Sequence, residues 1–168
     1  NPTYPNNIDL FGAYAPSGVS YRGYGLGTGP TATDYRILVG NSSSGWNAAI
    51  CPTVSIRTWT HLVGVFNGTN VVCYTNGING AIMPITRSGI IPQPALGASE
   101  FIGTGHGGGA AGEYFNGTIA EVAIWNRSLT KQEVQNIYNL TAGSYVWKIN
   151  LTDSFGRTAQ NTSTFTVV

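Results

Sequence analysis

Charge is what this 168-residue chain has least of: Asp, Glu, Lys and Arg make up 9% of it, against about a quarter in ordinary soluble proteins. Its two lysines and six arginines are scattered and the net charge is +1, so the basic patch of a nucleic-acid interface is absent. A trap for acidic ligands is excluded on the same ground. No apolar run approaches the roughly 20 residues of a spanning helix, and no membrane insertion is expected. No leader with a cationic start and an apolar core opens the chain, and Asn1-Pro2-Thr3-Tyr4-Pro5 reads as a mature or trimmed end. There are two cysteines, no CxxC and no Cys/His cluster, which leaves no zinc site. The carboxylates Asp9, Asp34, Asp153, Glu100, Glu113, Glu121 and Glu133 form no Asp-x-Asp group, so neither calcium nor any other metal is expected.

What is present is uncharged polarity. Glycine (23), asparagine (15), serine (12) and threonine (19) supply 69 of the 168 residues. With 42% apolar residues the chain can still bury a core, and its length favours one domain. A surface so poor in charge invites self-association unless something covers it. Sugars would do so, and so would partner subunits.

Asn-x-Ser/Thr sequons stand at Asn41, Asn67, Asn116, Asn126, Asn139, Asn150 and Asn161. That is seven of fifteen asparagines, where chance would place about three. A sequon is an acceptor for N-linked sugar only in an exported chain and at an exposed position; the alternative is a coincidence of a Thr-rich β-protein. Cys51 and Cys73 both fall in strand-like runs, where a cross-strand or inter-sheet disulfide is feasible and would mark an oxidising, extracellular setting. Two buried free thiols are the other reading. N-linked glycans are the only attached groups expected.

Residues 1–34 are dense in proline and glycine and read as irregular, with short β candidates at best. From Tyr35 the pattern changes to short strands divided by turn dipeptides: Tyr35 to Gly40, Trp46 to Cys51, Thr60 to Phe66, Val71 to Thr75, Ala81 to Thr86, Glu100 to Gly103 and Thr118 to Trp125. Asn-Gly pairs at 67–68, 76–77, 79–80 and 116–117 favour tight hairpin turns. Thr130-Lys131-Gln132-Glu133 is a capping-box sequence, and Leu129, Val134, Ile137 and Tyr138 follow at helical spacing. One short helix over about 130–139 is expected. Beyond it Tyr145, Trp147, Ile149 and Leu151 alternate with Val146, Lys148, Asn150 and Thr152. Asp153-Ser154-Phe155-Gly156 reads as a turn, and Thr162 to Val168 as a second strand.

Two stretches carry a resemblance. One is Trp59-Thr60-His61-Leu62-Val63-Gly64-Val65-Phe66-Asn67-Gly68 with Val71-Val72-Cys73-Tyr74-Thr75-Asn76-Gly77. The other is Phe101-Ile102-Gly103 with Phe115-Asn116-Gly117-Thr118-Ile119-Ala120-Glu121-Val122-Ala123-Ile124-Trp125-Asn126-Arg127-Ser128-Leu129-Thr130. Together they resemble the laminin-G-like, concanavalin-A-like lectin/glucanase jelly-roll superfamily over about residues 35–140. Ala120 stands where that family carries Asp, so no role of that acid transfers. The family's opening strands have no clear match in residues 1–34. Gly143 to Val168 resembles the last two strands of an immunoglobulin-like or fibronectin-like module. The resemblance implies an all-β, antiparallel jelly-roll sandwich over 1–142, followed by a hairpin over 143–168.

Three functions follow for test. An unfinished sandwich and a lone hairpin each leave edges and core surface open, which favours a subunit of a secreted, glycosylated fibre or surface layer held by donor-strand exchange. The partner is then a second copy, and the donor is Asn1 to Ser20 or Thr162 to Val168. A chain trimmed from a larger surface protein is the plainer account of the hairpin. The alternative function is a lectin-like or adhesive module, with Trp46, Tyr21, Tyr24 and Tyr114 as surface aromatics for glycans. The aromatics at 59, 66, 74, 115, 125, 145 and 147 fall in strands and are expected in the core. Catalysis is not expected. The Glu-x-Asp-x-x-Glu of the superfamily's glucanases is missing, and His61 reads as a structural hydrogen-bonder. His106, in a glycine-rich loop, has no acid near it in sequence. The glycine runs at 23–29 and 103–112 precede no helix and hold no Gly-Lys-Ser/Thr, so they cradle no phosphate.

Overall fold

The computed structural model describes residues 9–14, 23–28, 34–40, 45–55, 57–85, 99–104, 114–140, 143–152 and 154–167. Among these residues ten strands and one helix follow in chain order: β1 (Asp9–Tyr14), β2 (Gly23–Thr28), β3 (Tyr35–Gly40), β4 (Trp46–Ile50), β5 (Leu62–Phe66), β6 (Asn70–Thr75), β7 (Ile78–Pro84), β8 (Ser99–Ile102), α1 (Lys131–Tyr138), β9 (Gly143–Thr152) and β10 (Thr158–Val167). All pairings are antiparallel. They build a five-stranded sheet ordered β4-β3-β2-β1-β8, a three-stranded sheet ordered β5-β6-β7, and the separate pair β9–β10.

The layering follows from which residues alternate. Ile37, Val39 and Ala49 of the larger sheet pack with Cys51 and with Val71 and Cys73 of β6, and Leu26, Leu62 and Phe66 close around them. Val63, Val65, Val72 and Tyr74 point to the other side of the smaller sheet, where Leu129 and Val134 of the helix region cover them. Strand β6 is thus the middle of the molecule, buried on both faces from Val71 to Thr75. That is why it reads as an apolar run rather than an alternation. Val39, Val71 and Val134 are fully enclosed, each worth about 1.5–3 kcal/mol of burial.

Turns and caps fix the register. Asn76 (φ 50) and Gly77 (φ 74) both lie in the left-handed region, the geometry of a type I′ hairpin turn. The Asn76 side chain accepts from the His61 backbone N–H at 2.9 Å, and the Asn76 N–H donates to the His61 carbonyl at 2.8 Å. An eight-residue helix is too short to persist alone, and α1 is held at its start by a complete capping box. Thr130 Oγ1 accepts from the Glu133 backbone, while Glu133 Oε2 accepts from the Thr130 N–H at 2.8 Å. The same carboxylate grips Arg127 through both oxygens, at 3.0 and 2.7 Å. Arg127 first, then the Thr130 backbone and hydroxyl, hold its pKa down to about 2.

Several expectations change. Residues 9–14 and 23–28 are not irregular: they supply β1 and β2, the opening strands whose absence made the sandwich look unfinished. Their glycines hid a period of two, since Tyr24, Leu26 and Thr28 alternate with Gly23, Gly25 and Gly27. Thr118 to Trp125 is not a strand. Glu121 sits at φ 55, a left-handed turn that breaks an extended run. Asn79-Gly80 lies inside β7 rather than in a turn, with Asn79 paired to Tyr74; the glycine serves a close approach, since a Cβ on Gly80 would come within 2.9 Å of the Ile50 carbonyl oxygen. Asn116-Gly117 makes a bend outside any hairpin. The hairpin's second strand begins at Thr158, four residues earlier than read.

Candidate assembly surface

Among the described residues the two sheets do not match in width. The three-stranded layer lies over β3 and β4: Gly64 of β5 meets the Ile37 side chain, and Gly80 of β7 meets Ile50 and Pro52. The Cys51–Cys73 disulfide ties the two layers at this end, with Cα atoms 4.7 Å apart across 22 residues of sequence. At the other end, over β1 and β8, the facing residues are Val122 and Ile124 of the non-strand segment. They line a cleft of about 530 Å³ together with Phe11, Glu100, Phe101 and Ile102.

Register shows that this cleft lies on the core-facing side of the larger sheet. Ile102 pairs with Phe11, Phe11 with Leu26, and Leu26 with Ile37. Directly opposite residues share a face, and Ile37 belongs to the buried cluster between the sheets. Ile102 nonetheless remains 57% exposed, with Val122 at 42% and Ile124 at 56%. Among the described residues the open part of the sandwich therefore lies opposite β1 and β8, and not in missing opening strands.

The second feature is the hairpin. β9 and β10 pair over ten residues, from Thr152↔Thr158 to Gly143↔Val167. Among the described residues each strand contacts chiefly the other. Alternation places Tyr145, Trp147, Ile149 and Leu151 on one face, with Phe165 opposite Tyr145. Leu151 and Phe155 are 64% and 83% exposed, and Arg157 lies over the Phe155 ring. Isolated two-stranded hairpins are marginal in water, and among the described residues this one finds little packing outside its own two strands.

The other singled-out residues divide. Asn67, Asn116, Asn126, Asn139 and Asn161 are exposed, as sugar attachment requires. Asn150 lies in β9 opposite Gln160, and Asn41 lies outside the described residues. In the Asn67 sequon the Asn67 Oδ1 accepts from the Thr69 hydroxyl at 3.1 Å and from the Asn70 N–H at 2.8 Å. Of the proposed glycan aromatics, Tyr21 is also outside the described residues. Tyr24 is half-buried, its ring 5.7 Å from Phe11, and burial followed by the Glu100 charge raises its pKa. Trp46 is half-buried at the start of β4, and Tyr114 is exposed beside β8, bridged to Thr104. These three form no common platform: Trp46 and Tyr114 stand at opposite edges of the five-stranded sheet.

Two aromatics expected in the core are not there: Trp59 is 71% exposed and Trp125 41%. Trp59 precedes β5 instead of lying in it. His61 works by packing: its ring stacks 5.8 Å from Tyr138, with Nδ1 buried and lacking a hydrogen-bond partner. Burial lowers its pKa. His106 lies outside the described residues.

Among the described residues no group of His, Cys, Asp or Glu is placed to hold a metal ion, and no helix is long and apolar enough to cross a membrane. A sequence model of the concanavalin A-like lectin/glucanases superfamily matches residues 3–135, which takes in both sheets and the start of α1. No curated protein sequence matches the chain. Among solved structures it is similar to an S-layer domain-containing protein (residues 221–444) from Clostridium thermocellum, at 15% identity and a TM-score of 0.37. That likeness covers 83% of this chain and 65% of the other.

Proposed function

Because the chain belongs to the concanavalin A-like lectin/glucanase superfamily, we propose that it uses this sandwich as a building block: a structural subunit of a secreted, N-glycosylated fibre or surface layer. Copies are held together by β-strands that one subunit supplies to the next. The observation that carries the reading is the β9–β10 hairpin, which among the described residues packs on little but itself, in a chain whose sandwich leaves Ile102, Val122 and Ile124 exposed. Each defect is the complement of the other. With charged residues at 9%, like-charge repulsion between subunits is small, and sugars on the exposed sequons outside the hairpin, Asn67, Asn116, Asn126 and Asn139, would keep the outside soluble. The disulfide supports an oxidising, extracellular location. The N-terminal donor considered from sequence loses ground, since residues 9–14 pair on both sides within their own sheet.

The role is non-catalytic on this reading, since the chain lacks the paired carboxylates of the superfamily's glucanases, and neither metal nor cofactor takes part. Electron microscopy of the purified glycosylated chain tests the proposal: fibres or sheets are expected, and monodisperse particles at high concentration would overturn it. A second reading, glycan binding, draws support from Trp59 and Tyr114, 71% and 63% exposed. Saturable binding on a glycan array, lost in Trp59→Ala, would favour it over assembly.

A further inference from the structure

We infer that the cleft over β1 and β8 is the acceptor, and that its occupant is the β9–β10 hairpin of a second copy of this chain. The inference rests on the assembly reading above and adds the site that the reading leaves open.

Width is the first argument. Among the described residues five strands face three, a difference of two strands, and the hairpin is two strands wide. Chemistry is the second. The cleft offers Phe11, Ile102, Val122 and Ile124, and the hairpin's register gathers Tyr145, Trp147, Ile149 and Phe165 on one face, together with Ser163 opposite Trp147 and Asn161 opposite Ile149, so the contact requires the Asn161 sequon to be free of sugar. The segment that could have closed the cleft from within, Thr118 to Trp125, alternates like a strand but is turned aside at Glu121.

Charge is the third. The acceptor end carries Asp9 on β1, Glu100 on β8 and Glu121 in the facing segment, with no Lys or Arg on β1, on β8 or from Tyr114 to Trp125. Lys148 and Arg157 outnumber Asp153 in the hairpin. In a chain with fifteen charged residues, this separation gives opposite signs to the two surfaces and orients their approach.

Position favours a neighbour over the chain's own hairpin. Helix α1 covers the outer side of the three-stranded layer, and only residues 141 and 142 separate Leu140 from β9. The hairpin therefore starts across that layer from the cleft. Donor and acceptor are different surfaces of one molecule, so the contact is head-to-tail, and repeating it extends a filament unless the rotation closes a ring.

The test uses two full-length glycosylated variants, Ile102→Cys and Phe165→Cys, mixed and mildly oxidised. Ile102 is exposed, so its replacement leaves the fold intact, which circular dichroism checks. The expected result is a covalent heterodimer of the two variants, and loss of association when Ile124→Asp is added to the acceptor. Association that persists in Ile124→Asp, with cross-links only between Phe165→Cys copies, would overturn this acceptor and leave the assembly reading standing. A chain that stays monomeric without cross-links would overturn both. An intramolecular bridge in the doubly substituted chain at high dilution would show the cleft closed by its own hairpin, and the second copy would fall.

Discussion

Gly64 of β5 packs so closely on Ile37 of β3 that a Cβ at Gly64 would overlap the Ile37 side chain from its Cβ to its Cδ1. The contact sets the spacing of the two sheets where they are best packed. Only a glycine lets the smaller sheet approach there, because the Ile37 Cβ, which no rotamer change moves, would itself lie within 2.9 Å. Gly64→Ala is therefore expected to cost about 1–3 kcal/mol through overpacking, read as a lower urea midpoint. Ile37→Val in the same chain should return part of the loss. An unchanged midpoint in Gly64→Ala would contradict the packing described.

The disulfide closes the same end covalently. Cys51 is 4% exposed and Cys73 fully buried, so the pair joins the sheets from inside the core. The double variant Cys51→Ser/Cys73→Ser is expected to lose about 3 kcal/mol, in line with a cross-link across 22 residues. Equilibrium unfolding measures this. A variant as stable as the parent would mean that the bridge does not constrain the unfolded chain.

The helix depends on its cap. Thr130→Ala should cost about 1 kcal/mol, while Thr130→Ser should be close to neutral. Glu133 adds a pH signature. Its pKa is lowered from 4.5 to about 2, so its support is whole above pH 4.5 and fades as pH falls toward 2. Glu133→Gln should flatten the acid limb of the thermal melting curve. An acid limb identical in parent and variant would remove the charge from the account.

His61 gives a second pH signature, in a different window. Burial sets its pKa below the ordinary imidazole value of 6.5, so the unfolded chain takes up a proton that the fold resists. Stability from this residue is whole above pH 6.5, falls as pH drops through that value, and levels off below the folded-state pKa. His61→Phe keeps a ring against Tyr138 and removes the proton. Its melting temperature should fall less than the parent's on acidification from pH 6.5, and an equal fall would contradict the assignment.

Sequence pattern exposed the fold where one physical rule dominated locally. The capping box at Thr130 and the Asn76-Gly77 turn each depend on residues a few positions apart, and both stand where the pattern puts them. So do β3, β4 and β6, whose side chains alternate or run apolar because the layer above is present. The pattern misled where glycine carried the alternation, as in β2, whose small residues look like loop. It misled again at Thr118 to Trp125, where alternation is strong but the backbone turns at Glu121. Alternation records which residues could face a core, not whether a partner strand is there. The candidate surface was legible only in part for the same reason. The open hairpin was readable from 143 onward, but the cleft needs β1, β8 and Ile124 brought together, and nothing local links them. Trp59 was misplaced because the Trp-x-His spacing resembles a strand one residue pair longer than β5.

The central claim is that copies of this chain associate through the β9–β10 hairpin, and sedimentation velocity of the full glycosylated chain over a wide concentration range tests it most directly. The account predicts a weight-average mass that climbs with concentration for the parent and stays at the protomer value for Trp147→Asp. A parent that sediments as a single protomer at every concentration would contradict it.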